Sequence, residues 1–171
     1  MSKCICKDVR FTGILWALIR IWLGYTWIKA GISKIQNPAW FGSDAGTAIS
    51  GFFRGALAKA TGDNPMVQEW YASFLENVAL PNAQAFSYLI VFAEILVGLS
   101  LLFGLFTIIG LLTGGFMNLN FLLAGSGSMN PVMITLTFIL IYVGYGSYYY
   151  GLDRWFLPWL KLKFKRKASE E

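Results

Sequence analysis

The chain has 171 residues, 56% apolar and 13% charged, with a net charge of +5 from 14 basic and 9 acidic side chains. That balance is too apolar for a soluble domain of this size, and nucleic acid is a poor match for charge spread along such a chain. Histidine is absent, which removes the usual ligand of haem, of most zinc sites and of di-iron sites; no haem or metal cofactor is expected.

Four apolar runs, about Phe11–Ala30, Ala83–Phe103, Thr107–Ala124 and Pro131–Tyr150, each approach the roughly 20 residues that a transmembrane helix needs. The first carries Arg20 near its middle and ends in Trp27-Ile-Lys-Ala-Gly-Ile-Ser-Lys34. It has no small-residue cleavage site, so it reads as a span rather than a removable signal. Cys4 and Cys6 precede it, and Asn37-Pro38 stops it, because proline disfavours helix at the residue before it. The loop that follows is too long to be idle. Within residues 45–78, Ile49, Phe52, Phe53, Ala56, Leu57 and Ala60 recur at helical spacing, and Val67, Trp70, Tyr71, Phe74, Leu75 and Val78 repeat the pattern. Asn64-Pro65 suits the cap and first turn of the second of these helices. Together they predict a lid on the bundle mouth or a pair of interfacial helices.

The second span starts after Pro81-Asn82 and ends at Gly104. The short hairpin to the third span forces those two helices to be antiparallel. Asn130-Pro131 caps and opens the fourth. Beyond Gly151 lies an aromatic anchor with Trp155 and Trp159. A basic tail over residues 159–171 then suits anionic lipid. Lys3, Lys7, Arg10, Arg154 and the tail's Lys161, Lys163, Lys165, Arg166 and Lys167 flank the termini. The first loop and its approach hold only Lys29, Lys34, Arg54 and Lys59. The positive-inside rule therefore predicts both termini in the cytoplasm. The expected fold is an all-α membrane protein, one domain over 1–171. It is a four-transmembrane-helix bundle with an extracytoplasmic loop carrying two short amphipathic helices.

Arg20 and Glu94 sit inside apolar runs, where a charge costs roughly 2.5–3.5 kcal/mol even on lenient scales. Counting from the cytoplasmic ends at about 1.5 Å per residue puts Arg20, Glu94 and Asn118 each about 15 Å deep, with Tyr142 and Tyr145 just below. Small-residue stripes accompany them: Gly24 and Gly31 near Arg20, Gly98 near Glu94, Gly110 and Gly114 near Asn118. Asn120 points nearly opposite to Asn118, which ranks Asn118 first. Two readings follow. Arg20 and Glu94 form an ion pair that fixes helix register, or they line a pocket for a quinone-like ligand in which Arg20 and Asn118 donate and Glu94 takes a proton. Lys29, Lys34 and Arg54 lie toward the outer mouth, where they either snorkel to the interface or attract an anion.

The chain resembles the DoxX/DoxD family in Gly31-Ile-Ser-Lys34-Ile-Gln-Asn37-Pro38-Ala-Trp40, in Glu94-Ile-Leu-Val-Gly98, in Met117-Asn118-Leu-Asn120-Phe, in Asn130-Pro131 and in Gly151-Leu-Asp153-Arg154. The similarity runs from about Phe11 to Pro158. It implies a four-helix protein of the prokaryotic cytoplasmic membrane. The DoxD branch is the membrane subunit of a thiosulfate:quinone oxidoreductase and works beside a smaller DoxA subunit; other members are linked to thiol homeostasis with soluble partners. The resemblance thus implies an exchangeable quinone and a soluble redox partner or second subunit, with self-association open; on the ligand-pocket reading, Glu94 and Arg20 are the catalytic residues. No DoxA-like domain and no ligand set for a redox metal accompany it. The competing expectation is a non-catalytic scaffold or ligand-binding subunit. Four spans without inverted repeats offer little transport machinery.

Overall fold

The computed structural model describes residues 2–167, with side chains over residues 12–160. The side chains of Cys4, Cys6 and the basic tail past Leu160 lie outside the range of described side chains. Every regular element among the described residues is helical: α1 (Ser2–Ile35), α2 (Thr47–Ala58), α3 (Glu69–Phe74, continued by a π-helical turn at Leu75–Ala79), α4 (Ala83–Phe103), α5 (Thr107–Leu123), α6 (Asn130–Val143), α7 (Tyr145–Tyr148) and α8 (Asp153–Lys167). Only α4 is long and apolar enough on its own to cross a membrane; α5 and α6 are apolar but shorter.

The long helices pack in the order α1, α4, α5, α6. The α1–α4 contact is the closest and rests on glycine. A Cβ on Gly24 would lie 2.9 Å from the Gly98 carbonyl oxygen, and one on Gly98 would lie 2.8 Å from the Ile28 amide nitrogen. No larger residue fits, so the two backbones touch. Further along, Gly31 faces Glu94 and Ile95. The helices are therefore antiparallel, with Arg20 against Gly104 and the end of α1 level with the middle of α4. α4 continues past that end, where the Ser87 hydroxyl donates to the Trp40 carbonyl at 2.6 Å.

The hairpin between α4 and α5 depends on two left-handed residues. Gly104 (φ 63°) closes α4 and Phe106 (φ 54°) opens α5. Phe106 carries a side chain there at some cost, and Asp153 offsets it by accepting from the Phe106 and Thr107 amides at 2.8 and 2.7 Å.

At the other end of the molecule, α2, α3 and the π-helical turn form the lid. Ile49, Phe53 and Ala56 from α2 and Tyr71, Leu75 and Ala79 from the second segment are buried together against α4 and α5. These are the apolar faces that the spacing predicts. The second helix starts at Glu69, after Gln68 rather than Asn64. The Lys59 ammonium ties the lid to the α5–α6 loop by donating to the Gly125 carbonyl at 2.9 Å. A second core, around Leu23, Trp27, Val97, Leu111 and Leu140, fills the space between the long helices.

The expected fourth span to Tyr150 is shorter. α6 stops at Val143 because Gly144 (φ 58°, ψ −114°) leaves the helical region, and α7 follows as a single turn.

Gly98→Ala is expected to lower stability by about 1–3 kcal/mol, since the added methyl meets backbone that cannot retreat. Gly51, in α2, has open space around it, so Gly51→Ala is expected to raise stability by up to about 1 kcal/mol. Thermal unfolding of the detergent-solubilised variants checks both signs.

Candidate functional site

Glu94 has a partner, and it is Lys34. The Lys34 ammonium donates to both carboxylate oxygens, at 2.7 and 2.8 Å. Glu94 is 1% exposed and Lys34 19%, so the pair is reached only from the lysine side. Three local features build it. Gly31, one turn before Lys34, lets α4 approach until a Cβ there would be 3.3 Å from the Glu94 Cβ. Lys34 lies in the last turn of α1, where the helix dipole favours a cation. The Trp40 ring covers the ammonium at 5.1 Å.

Arg20 does not meet Glu94. Its guanidinium is buried at the opposite end, against Gly104 and Gly151, and Nη2 donates to the Tyr150 carbonyl at 3.1 Å. Asp153, the acceptor for the α5 amides, attracts it electrostatically, and the Asp153 amide donates to the Gly104 carbonyl at 2.8 Å. Arg20 is thus level with Gly104, ten residues from Glu94 along α4, or roughly 15 Å away. The expected single polar layer with Arg20 is corrected to two clasps, one at the last turn of α1 against the middle of α4 and one at the Gly104 hairpin.

The other expected residues also separate. Asn118 is fully buried on the α1 and α4 side of α5, with no hydrogen-bond partner among the described residues for its side-chain oxygen or nitrogen. Tyr142 is 93% exposed and Tyr145 is exposed as well; both face away from the interior. Lys29 is exposed on the outside of α1. Arg54 lines a shallow groove of about 350 Å³ beside Thr47, Ser50 and Gln84. Lys29, Lys34 and Arg54 therefore do not gather into one anion site.

A cavity of about 320 Å³ lies between α4 and α5 beneath the lid. Its wall includes seven aromatic rings, from Phe52, Phe53, Tyr71, Phe74, Phe86, Phe116 and Phe121. Several lock edge to face, as in Phe52–Phe121 (6.0 Å) and Phe53–Phe86 (6.0 Å). Leu89 and Phe116 are exposed beside it, so it opens sideways between the two helices. One corner is polar. The Tyr71 hydroxyl donates to the Asn120 backbone carbonyl at 3.0 Å, with Oδ1 at 3.3 Å, and Asn120 Nδ2 donates to the Phe116 carbonyl at 2.8 Å. Burial raises the Tyr71 phenol above its usual range, so it remains a donor at neutral pH. Neither Arg20 nor Glu94 lines this cavity, and Asn118 does not; Asn120 does. The ranking of Asn118 over Asn120 is reversed for the cavity. Tyr71 was visible in the sequence only as one apolar-face position of the lid. Among the described residues, no three of His, Cys, Asp and Glu come together.

Lys34→Met is expected to destabilise the protein by about 3–5 kcal/mol, because it strands a buried carboxylate. The double substitution Lys34→Met with Glu94→Leu is expected to recover most of that loss. Melting temperatures of the two variants in one detergent decide it.

A DoxX family model matches residues 15–126, from within α1 to the turn after α5. No curated protein and no solved structure matches the chain. The matched segment holds both partners of the Lys34–Glu94 pair, Arg20, the lid and the aromatic cavity, and it covers well over half of the 171 residues. The chain therefore belongs to the DoxX family of membrane proteins.

Proposed function

We propose that this DoxX protein is a four-span subunit of the prokaryotic cytoplasmic membrane that binds an isoprenoid quinone in the cavity under its lid. α1, α4, α5 and α6 are the spans, the lid is extracytoplasmic, and the Gly104 hairpin and both termini are cytoplasmic. The aromatic cavity carries the reading. Seven rings suit a planar ring, the sideways opening lets an isoprenoid tail lie in the outer leaflet, and the second hydrogen of Asn120 Nδ2, beside the one given to Phe116, offers a donor for one carbonyl oxygen. Arg20 and Glu94 are each committed to partners within the chain and are assigned to holding helix register.

Converting a bound quinone to quinol takes two electrons and two protons. Tyr71 is the one titratable residue on the cavity wall, and its hydroxyl is already bonded to Asn120. That chemistry favours a binding subunit whose electrons come from a soluble redox partner or second subunit. If thiosulfate is the donor, two thiosulfates yield tetrathionate and the two electrons; this finer assignment rests on the family resemblance alone. The uncharged wall equally suits a non-catalytic scaffold that holds quinone or lipid for such a partner.

The test is binding of a short-chain quinone to the purified protein in nanodiscs. Ala93→Phe, which fills the cavity, is expected to abolish binding. Asn120→Leu is expected to weaken it roughly tenfold, the worth of one hydrogen bond, while Lys29→Ala leaves it unchanged. Undiminished affinity in Ala93→Phe would remove the site.

A further inference from the structure

Two side chains in the inner core have polar atoms that the fold leaves without a protein partner. Trp27 is 2% exposed and Asn118 is 0% exposed. Trp27 Nε1 and both Asn118 side-chain heteroatoms lack a hydrogen-bond partner among the described residues. They belong to one place. A Cβ on Gly114 would lie 3.1 Å from Trp27 Nε1 and 3.1 Å from Val97 Cγ1, so the indole nitrogen rests against α5 at Gly114. Asn118 is the next residue on that face, one turn on. Helical side chains lean toward the N-terminus, which carries its amide back toward Gly114 and the indole.

The donor and acceptor inventory narrows the occupant. The indole can only donate, Asn118 Nδ2 can only donate, and Asn118 Oδ1 can only accept. A carbonyl or an anion would satisfy the donors and leave Oδ1 unbonded. A metal cation would meet Oδ1 and leave both donors unbonded. A water or hydroxyl oxygen serves all three kinds of contact. Fully buried surroundings favour the smaller, and buried water is the usual remedy for polar groups that the chain itself does not satisfy. Glycine at 114 is what lets the indole nitrogen come this close to α5.

We propose that internal water bridges Trp27 Nε1 to the Asn118 side chain, tying α1 to α5 across the Gly114 step. The site is separate from the lid cavity, because Asn118 faces α1 and α4 whereas Asn120 faces the cavity. It also lies close to the Lys34–Glu94 layer. Gly110 meets Ser100 and Leu101, and Gly114 meets Val97; continued one turn, that antiparallel register brings Asn118 level with Ala93 and Glu94.

The test uses protein labelled with ¹⁵N at the tryptophan indoles, in nanodiscs, with Trp27→Phe identifying its resonance among the seven tryptophans. The expected result is a dipolar cross-peak between the Trp27 indole proton and water that disappears in Asn118→Leu. No water cross-peak in the unsubstituted protein would overturn the proposal, and so would one that persists in Asn118→Leu. Melting temperature supplies a second readout. Trp27→Phe and Asn118→Leu are each expected to lower it, and the double variant to lose less than the sum. Strictly additive losses would contradict a shared water.

Discussion

The register of α1 on α4 is the constraint from which the remaining arrangement follows. Gly24 and Gly98 bring the two backbones into contact, and at that separation the helices cannot slide without driving side chains into backbone. Fixed in this way, α1 delivers Lys34 to Glu94 and Arg20 to the Gly104 hairpin. Each delivery meets a need. Glu94 is almost wholly buried, and a buried carboxylate without a partner costs several kcal/mol. The hairpin carries a left-handed Phe106 and two amides that Asp153 bonds, with the Arg20 guanidinium packed beside it.

The two charged contacts thereby sit at the last turn of α1 and at the Gly104 hairpin, and α5 has two different environments on its opposite sides. The side facing α1 is tightly packed and holds Asn118 and Trp27. The side facing the lid is loosely filled, aromatic and open to its surroundings. A helix that presents its two sides to such different neighbours separates a packed face from the face that lines the cavity. Asn118 and Asn120 are two positions apart in sequence, yet one is buried in the packed face and the other lines the cavity. The lid supplies the cavity's roof and the Tyr71 hydroxyl, which makes the long loop between α1 and α4 part of the cavity wall.

Much of the fold was legible in the sequence. The apolar runs, the stop at Asn37-Pro38, the turn at Gly104 and the amphipathic faces of the lid all follow from local chemistry. The pairing of charges was not, for a geometric reason. Depth counted from the apparent start of each apolar run assumes that helix ends lie level. Here α1 is 34 residues long, its N-terminal part passes the hairpin to reach Tyr149 and Tyr150 beside Gly13, and its other end stops short of the start of α4. The offset is set by which glycines meet, a long-range fact that periodicity does not carry. The cavity was hidden for a similar reason. Tyr71 reads as a lid residue and Asn120 only as pointing away from Asn118 until the lid is folded over α5.

Oxidative cross-linking tests that register most directly, in a background with Cys4 and Cys6 replaced by serine. A Cβ at position 31 would lie 3.3 Å from that of residue 94, near the separation a disulfide requires. The account predicts that Gly31→Cys with Glu94→Cys forms an intramolecular disulfide in the membrane and that Arg20→Cys with Glu94→Cys does not. A disulfide in the second pair and none in the first would contradict it.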